Sequence, residues 1–461
     1  MNSSYHWLDG QVSPQHPLSP LRRMQELSAL GRLLTHYKPA DLWELDTQRL
    51  PPPLAKLRRR CRDFAEQYMT PNIRILDEAA HTPPGTLHPA ALQLLKAAGR
   101  AGLMSNLLPA PFGTATLAEL KYPVAYRFAI QVEELSRVCA GQMLLLSAHH
   151  LGLAPLCLSG DPRALWTYYR PMAQDFSKGI VHLFAYAITE PSAGSDAEDG
   201  HGASTNQPRL RARRLKNGYV LNGRKCFISG GDVARHIAVF AALEDEGFDS
   251  WTCFMVNSGH PGFTACHTEL KMGMRASSAA ELHLSDCYVP ETAIIGGLRQ
   301  GWALNRATLN SSRYPVAAMA VGIARRACEL TLEYCLHTRL AGKPLLAYQE
   351  FQLQLAQMLA ETRAMRALIW QQASGSFQAR QSEASMSKFF ATDRAQAVCE
   401  SGMELLAEHG ASRTECLEKL LRDVRLTRIF EGTNQINRLS VIEDLQPLLF
   451  TAATAHHSFS I

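Results

Sequence analysis

Hydrophobic positions recur at helical spacing towards both ends of the chain and at strand spacing in its middle. Near the start, Leu21, Met24, Leu27, Leu30 and Leu34 share one face of an amphipathic helix, which Pro51, Pro52 and Pro53 bring to an end. Leu57, Cys61, Phe64 and Tyr68 form a second helical series, Leu92, Leu95 and Ala98 a third, and Val132 with Leu135 a fourth. Helices are therefore predicted from Leu54 to Gly160, with a break over Leu103 to Pro111. Near Val181 the pattern changes to short alternating or apolar runs bounded by Gly, Asn and Asp. They include Tyr219 to Leu221, Ile237 to Phe240, Thr252 to Val256 and Leu282 to Leu284, and they predict strands. Asn217-Gly218 is a hairpin turn signal within this region. Helical periodicity resumes at Gly301 and predicts helices over 302–336, 348–374, 383–409, 417–428 and 435–448.

The order of helices, strands and helices is that of an α+β protein. It divides the 461 residues into an N-terminal extension (1–53), a helical domain (54–180), a β-domain (181–297), a helical bundle (298–447) and a tail (448–461). The extension reads as a packing helix or a docking arm. A hydrophobic content of 46% supports a large core. No window reaches the ~18 continuous apolar residues of a membrane span, and the first residues lack the apolar run of a secretory signal. A soluble, cytoplasmic protein is expected.

Eleven cysteines without a CxxC pair or a Cys/His cluster predict buried reduced thiols and no metal. A net charge of +5 suits an anionic ligand without demanding nucleic acid. Arg209, Arg211 and Arg213 alternate along a strand, followed by Arg214 and Lys216, with no aromatic residue among them. They read as a solvated face. His149 and His150 point about 100° apart on a helix and do not share one ligand easily, which favours a packing or surface role.

One carboxylate stands out for its surroundings. Glu431 follows Ile429-Phe430 and precedes Gly432-Thr433-Asn434-Gln435, with helical pattern on both sides. Apolar neighbours would partly desolvate it and make it a better base. Gly432 has no Cβ and would let a ligand lie against the backbone, while Thr433 and Gln435 offer polar groups to a second ligand. The same residues also read as an ordinary turn, with Gly432 as the C′ residue and Thr433 or Asn434 as the next N-cap.

Phe430-Glu431-Gly432-Thr433 resembles the Tyr-Glu-Gly-Thr signature of the acyl-CoA dehydrogenase family. A second family motif appears as Tyr186-Ala187-Ile188-Thr189-Glu190-Pro191-Ser192-Ala193-Gly194-Ser195-Asp196. Gly223 to Gly231 resembles the family's second flavin segment, with Phe227 and Ser229 where Trp and Thr are usual. The resemblance spans residues 55 to 447. It implies an N-terminal helical domain, a central β-barrel or sandwich and a C-terminal four-helix bundle, with FAD as cofactor.

It further implies that Glu431 takes the α-proton of an acyl thioester while flavin N5 accepts the β-hydride. The Glu431 backbone N–H and a flavin ribityl hydroxyl would polarise the thioester carbonyl. Flavin contacts are implied for Tyr186, Ile188, Thr189, Gly194, Ser195, Phe227, Ile228, Ser229, Thr433 and Gln435, with Arg339 and Gln349 towards the adenine. Substrate contacts are implied for Ser195, Asn310, Arg313 and Gly432. The implied partners are acyl-CoA or another acyl thioester, an electron-transfer flavoprotein or similar acceptor, and further copies in a homo-tetramer or dimer.

Some family branches carry the base on the first bundle helix, but Leu309-Asn310-Ser311-Ser312-Arg313 contains no acid here. The chain departs from the family pattern at Thr338 to Gly342, at Ala407-Glu408 where Gly-Gly is usual, at Asn310, and at Glu443. A flavin oxidase of the same fold would carry the same pattern, and the departures add two further readings: a dehydrogenase of carrier-bound acyl groups, and a non-catalytic member that binds nucleic acid or a protein partner.

Overall fold

A computed structural model describes residues 27–34, 41–79, 83–195, 209–244, 246, 250–375, 377–413 and 416–457. Leu21 and Met24 of the first expected helix, and Asp196, lie outside these residues, while Ala29–Leu34 is helical.

Helix α1 (Leu42–Gln48) begins where Asp41 accepts the Trp43 N–H at 2.8 Å. It is anchored to the body of the protein. The Trp43 ring lies 4.9 Å from the Arg325 guanidinium and 4.3 Å from that of Arg366. Asp46 pairs with Arg366 at 2.8 Å and with Arg363 at 3.1 Å.

Helix α2 (Pro52–Phe64) buries Leu57, Cys61 and Phe64 as their spacing predicts. Tyr68, expected on the same stripe, is 40% exposed, whereas Met69 is fully buried. The cause is local: Ala65–Met69 widens into a π-turn, which shifts the inward face by one residue. Helix α3 (Pro89–Arg100) buries Leu94, Leu95 and Ala98. Helix α4 (Val124–Ser159) is interrupted at Cys139, where φ is −160° and ψ 110°. On α4, Glu133 and Glu134 are buried among Arg58, Arg325 and Arg366.

The middle of the chain forms strands β1 (Phe184–Ala187), β2 (Arg211–Leu215), β3 (Gly218–Ser229), β4 (His236–Leu243), β5 (Thr252–Asn257), β6 (Phe263–Thr268), β7 (Ala279–Pro290) and β8 (Ile294–Ile295). They pair in the order β6-β7-β3-β2-β4-β5-β8. One edge of β4 is shared by two parallel neighbours, β1 over its first half and β2 at Ala242–Leu243. The sheet thus divides into two arms around β4, whose side chains are almost all buried. β2 and β3 form the hairpin that Asn217-Gly218 signals, with Leu215 opposite Gly218.

The C-terminal part contains α5 (Gly301–His337), α6 (Gln349–Gly375), α7 (Gln381–Leu406), α8 (Leu417–Thr427) and α9 (Asn434–His457). Helices α5, α6, α7 and α9 form the bundle, and α5 also packs along α4. That contact is close because Gly322 has no side chain: a Cβ there would lie 2.5 Å from the Glu133 carbonyl oxygen. Helix α7 stops at Leu406, three residues short of the predicted His409, where Ala407 adopts φ 47° and ψ −126°.

Between its neighbours, α8 holds the segment before β7. Fully buried Asp423 accepts the Met274 N–H and pairs with Lys419, while Arg422 donates to the Met272 carbonyl at 3.0 Å. Cys266, on strand β6, is exposed, and Cys157 and Cys416 are half-buried. The expectation of uniformly buried thiols therefore fails at these three, while the other cysteines are buried. None of the described helices is long and apolar enough to cross a membrane.

Candidate active site

Where α4, the β-domain and the bundle meet, they enclose a cavity of about 1020 Å³. The contributions of the two helices follow helical faces. Leu144, Ser147, Ala148 and Leu151 line it from α4, and Thr308, Ser312, Pro315 and Met319 from α5. Lys271 and Arg425 add cationic side chains to the wall, and burial pushes the Lys271 ammonium down to about 8.

Glu431, Gly432 and Thr433 enter this wall from the turn between α8 and α9. The Thr433 carbonyl accepts the Asn437 N–H and its hydroxyl accepts the Ile436 N–H, so Thr433 caps α9. Glu431 and Gly432 both have left-handed backbone, with φ of 55° and 76°. The Ser312 hydroxyl donates to Glu431 Oε2 at 2.9 Å, which favours the ionised carboxylate. The expected apolar flank is only partial. Phe430 is half-buried, but Ile429 is 56% exposed although it lines the cavity.

The opposite wall comes from the β-domain. Tyr186 lines it from β1, Ile188, Thr189, Gly194 and Ser195 from the stretch after β1, and Phe227, Ile228 and Ser229 from the end of β3. These two stretches are held together. The Cys226 N–H donates to the Thr189 carbonyl at 3.0 Å, and fully buried Lys225 donates to the Ile188 carbonyl at 2.9 Å and to Glu190 at 2.8 Å. Phe227 sits in a register shift of β3 with φ 58°, which leaves its ring 61% exposed on the cavity wall. The Thr433 N–H donates to the Ser195 hydroxyl at 3.0 Å, so the two motifs meet although 238 residues separate these partners.

Other expected contacts lie elsewhere. Arg313 is 1% exposed and donates to Ser385 at 2.9 Å and to Asn310 at 3.4 Å, on the side of α5 turned away from the cavity. Arg339 and Gln349 are exposed outside the cavity wall, and Gln435 is exposed on α9. Arg339 lies in a two-strand hairpin, β9 (Arg339–Leu340) with β10 (Lys343–Pro344), and donates to the Gly342 carbonyl at 3.2 Å. Glu443 pairs with Arg306 at 2.9 Å.

Two residues of the basic run face carboxylates, Arg213 with Glu244 at 3.8 Å and Arg214 with Glu291 at 3.5 Å. His149 and His150 are buried. His149 accepts the Phe184 N–H and donates to the Met104 carbonyl, which pins β1 to α4. Burial lowers the pKa of both rings, that of His150 to about 4.

Comparison with known proteins shows the family and the fold. The acyl-CoA dehydrogenase N-terminal, middle and C-terminal domain families match residues 53–175, 185–287 and 299–446. An acyl-CoA dehydrogenase of Bacillus subtilis (strain 168) is 32% identical over 84% of this chain and 96% of its own length. The chain belongs to the acyl-CoA dehydrogenase family.

Among solved structures of the family, the butyryl-CoA dehydrogenase from Megasphaera elsdenii has a TM-score of 0.76 and 27% identity. The match covers 86% of this chain and 99% of that one. An acyl-CoA dehydrogenase from Bacillus anthracis complexed with FAD has a TM-score of 0.76 and 25% identity, over 89% of this chain and 70% of that one. The family consists of FAD-dependent oxidoreductases acting on CH–CH groups. The cavity wall suits such a cofactor. It combines the Phe227 ring with the hydroxyls of Thr189, Ser195 and Ser229, and a Cβ added at Gly194 would meet nothing within 4 Å. Its volume is at the upper end of the ~300–1,000 Å³ of ordinary ligand sites, large enough for a flavin ring beside an acyl chain.

Proposed function

We propose that the protein dehydrogenates an acyl thioester at its α and β carbons, with Glu431 as the base. The observation that carries this reading is the placement of the Glu431 carboxylate and of both motif stretches on one cavity. Tyr186, Ile188, Thr189, Gly194, Ser195, Phe227, Ile228, Ser229 and Thr433 would hold FAD, which when bound accepts the β-hydride.

The chain supplies the proton chemistry. An α-proton of a thioester is weakly acidic, so its removal needs a base fixed against it and stabilisation of the developing enolate. Glu431 takes the proton, with its carboxylate positioned by Ser312. The Glu431 backbone N–H donates to the thioester carbonyl, and Gly432 leaves room for that approach. The apolar faces of α4 and α5 accept the acyl chain and exclude water.

Lys271 and Arg425 favour an anionic thioester such as acyl-CoA. Electrons leave to an electron-transfer flavoprotein or a similar acceptor. A homo-tetramer or dimer is supported by exposed apolar residues on the bundle, Leu353, Leu439 and Ile442. Arg313 and Asn310 do not line this cavity, and no part of this reading rests on them.

The test is the visible spectrum of purified protein titrated without oxygen with saturated acyl-CoA esters of increasing length. A bound flavin spectrum bleached by one class of ester is the expected result. Protein that stays colourless after addition of FAD contradicts the reading and favours a non-catalytic role.

A further inference from the structure

We propose that Lys388 and Asn437 form a clamp that fixes the backbone of Glu431 and so positions its carboxylate, an inference that rests on Glu431 being the base. A glutamate with left-handed φ is disfavoured by its Cβ and persists only where the surroundings over-determine it. The loop carries two left-handed residues in succession, Glu431 and Gly432, of which only Glu431 has a Cβ.

In this conformation its three carbonyls are gathered by two side chains. Asn437 Nδ2 donates to the carbonyls of Glu431 at 3.3 Å, Gly432 at 3.0 Å and Thr433 at 3.0 Å. Lys388 Nζ donates to the Gly432 carbonyl at 2.7 Å and to Asn434 Oδ1 at 2.9 Å. Both residues are fully buried, and neither lines the cavity.

Lys388 belongs to α7 and Asn437 to α9, so the clamp ties the loop to two helices of the bundle. Burying an ammonium is costly, and here its charge is directed at the peptide bond that follows Gly432. That peptide's N–H is the one Thr433 donates to Ser195. A donor on the carbonyl polarises the peptide and strengthens the hydrogen bond made by its N–H. The clamp therefore acts on both faces of the turn. Its side chains hold the carbonyls away from the cavity, while the carboxylate of Glu431 meets Ser312 on α5.

The experiment compares holoenzyme of Lys388→Met, Asn437→Ala and Glu431→Gln, and the double variants with Glu431→Gln, by anaerobic flavin reduction with a thioester that reduces the wild type. Flavin content and thermal unfolding are recorded for each. A displaced base costs about 10²-fold in rate, so each clamp variant is expected to lose that much in the reduction rate. The thioester concentration for half-saturation should change by less than about twofold, and the acid limb of the pH profile should move.

On the Glu431→Gln background neither clamp variant should reduce the residual rate further, since the clamp acts through Glu431. A clamp variant with wild-type rate, or losses that multiply on that background, overturns the proposal. If Lys388→Met does not accumulate as holoenzyme, Asn437→Ala decides by the same criteria. An inactive Glu431→Gln beside a fully active Lys388→Met refutes the clamp alone. A fully active Glu431→Gln refutes the assignment of the base, and the clamp with it.

Discussion

Two turns in this protein share a backbone geometry and differ in everything around it. Glu431-Gly432 and Ala341-Gly342 are each a pair of left-handed residues with glycine second. The Ala341-Gly342 turn closes the β9–β10 hairpin and is satisfied locally, by pairing of Leu340 with Lys343, by Arg339 on the Gly342 carbonyl, and by Tyr348 on the Leu340 carbonyl. Its side chains are exposed. The Glu431 turn is satisfied locally by Asn437, and from a distance by Ser312 on α5, Lys388 on α7 and Ser195 after β1. The same local shape is thus an ordinary surface hairpin in one place and a fixed corner of a cavity in the other. Long-range partners make the difference.

The comparison can be broken by removing what supports the cavity. Asp423→Ala leaves Lys419 buried without its carboxylate and frees the Met274 N–H, and a loss of about 3–5 kcal/mol of stability is expected. Urea unfolding measures it, and a loss below 1 kcal/mol on the same scale would show that α8 is not the support described.

His150 gives the next effect, through pH. Its folded pKa of about 4 lies below the ordinary value of 6.5. The unfolded chain therefore binds the proton more readily, and the stabilisation from a neutral buried ring is full above pH 6.5 and lost as pH falls towards 4. The wild type should lose up to about 3 kcal/mol across that window from this group. His150→Phe should flatten the fall, as read from urea midpoints at intervals between the two limits.

Ser312→Ala removes a hydrogen bond to the ionised form of Glu431. Such bonds are worth about 1.5–3 kcal/mol, so the acid limb of the rate profile should move up by about one to two pH units. Flavin reduction would slow at low pH and recover at high pH, whereas an unchanged profile would remove Ser312 from the account. At the other turn, Arg339→Ala should alter stability by no more than about 0.5 kcal/mol, by the same unfolding assay. A larger loss would mean the hairpin is not merely local.

The contrast also explains what could be read in the sequence. Helical and strand periodicity follows from local burial, and it gave the order of helices, sheet and bundle. The stretches Tyr186 to Ser195 and Phe430 to Thr433 are local as well, because their roles depend on small, hydroxyl and carboxylate groups set close together. Ser312 and Lys388 give no comparable signal, since each acts on a turn that reaches it only after the bundle has assembled, while Asn437, only four residues after Thr433, looks in the sequence like any polar residue of α9. For Asn310 and Arg313 the resemblance implies substrate contacts, and the structure places both on a different face of α5 from Thr308, Ser312, Pro315 and Met319, outside the cavity wall. Tyr68 was misplaced because a π-turn cannot be read from an apolar stripe.

The assignment of Glu431 as the base is tested most directly by proton exchange alone, uncoupled from hydride transfer. The holoenzyme would be incubated in deuterium oxide with an acyl thioester whose β-position is a sulfur and so carries no hydride, and α-deuterium incorporation followed by mass spectrometry. The wild type should exchange the α-proton, and Glu431→Gln, with its flavin still bound, should be slower by about 10²–10⁴-fold. Exchange at the wild-type rate in Glu431→Gln would contradict the account and place the base elsewhere on the cavity wall.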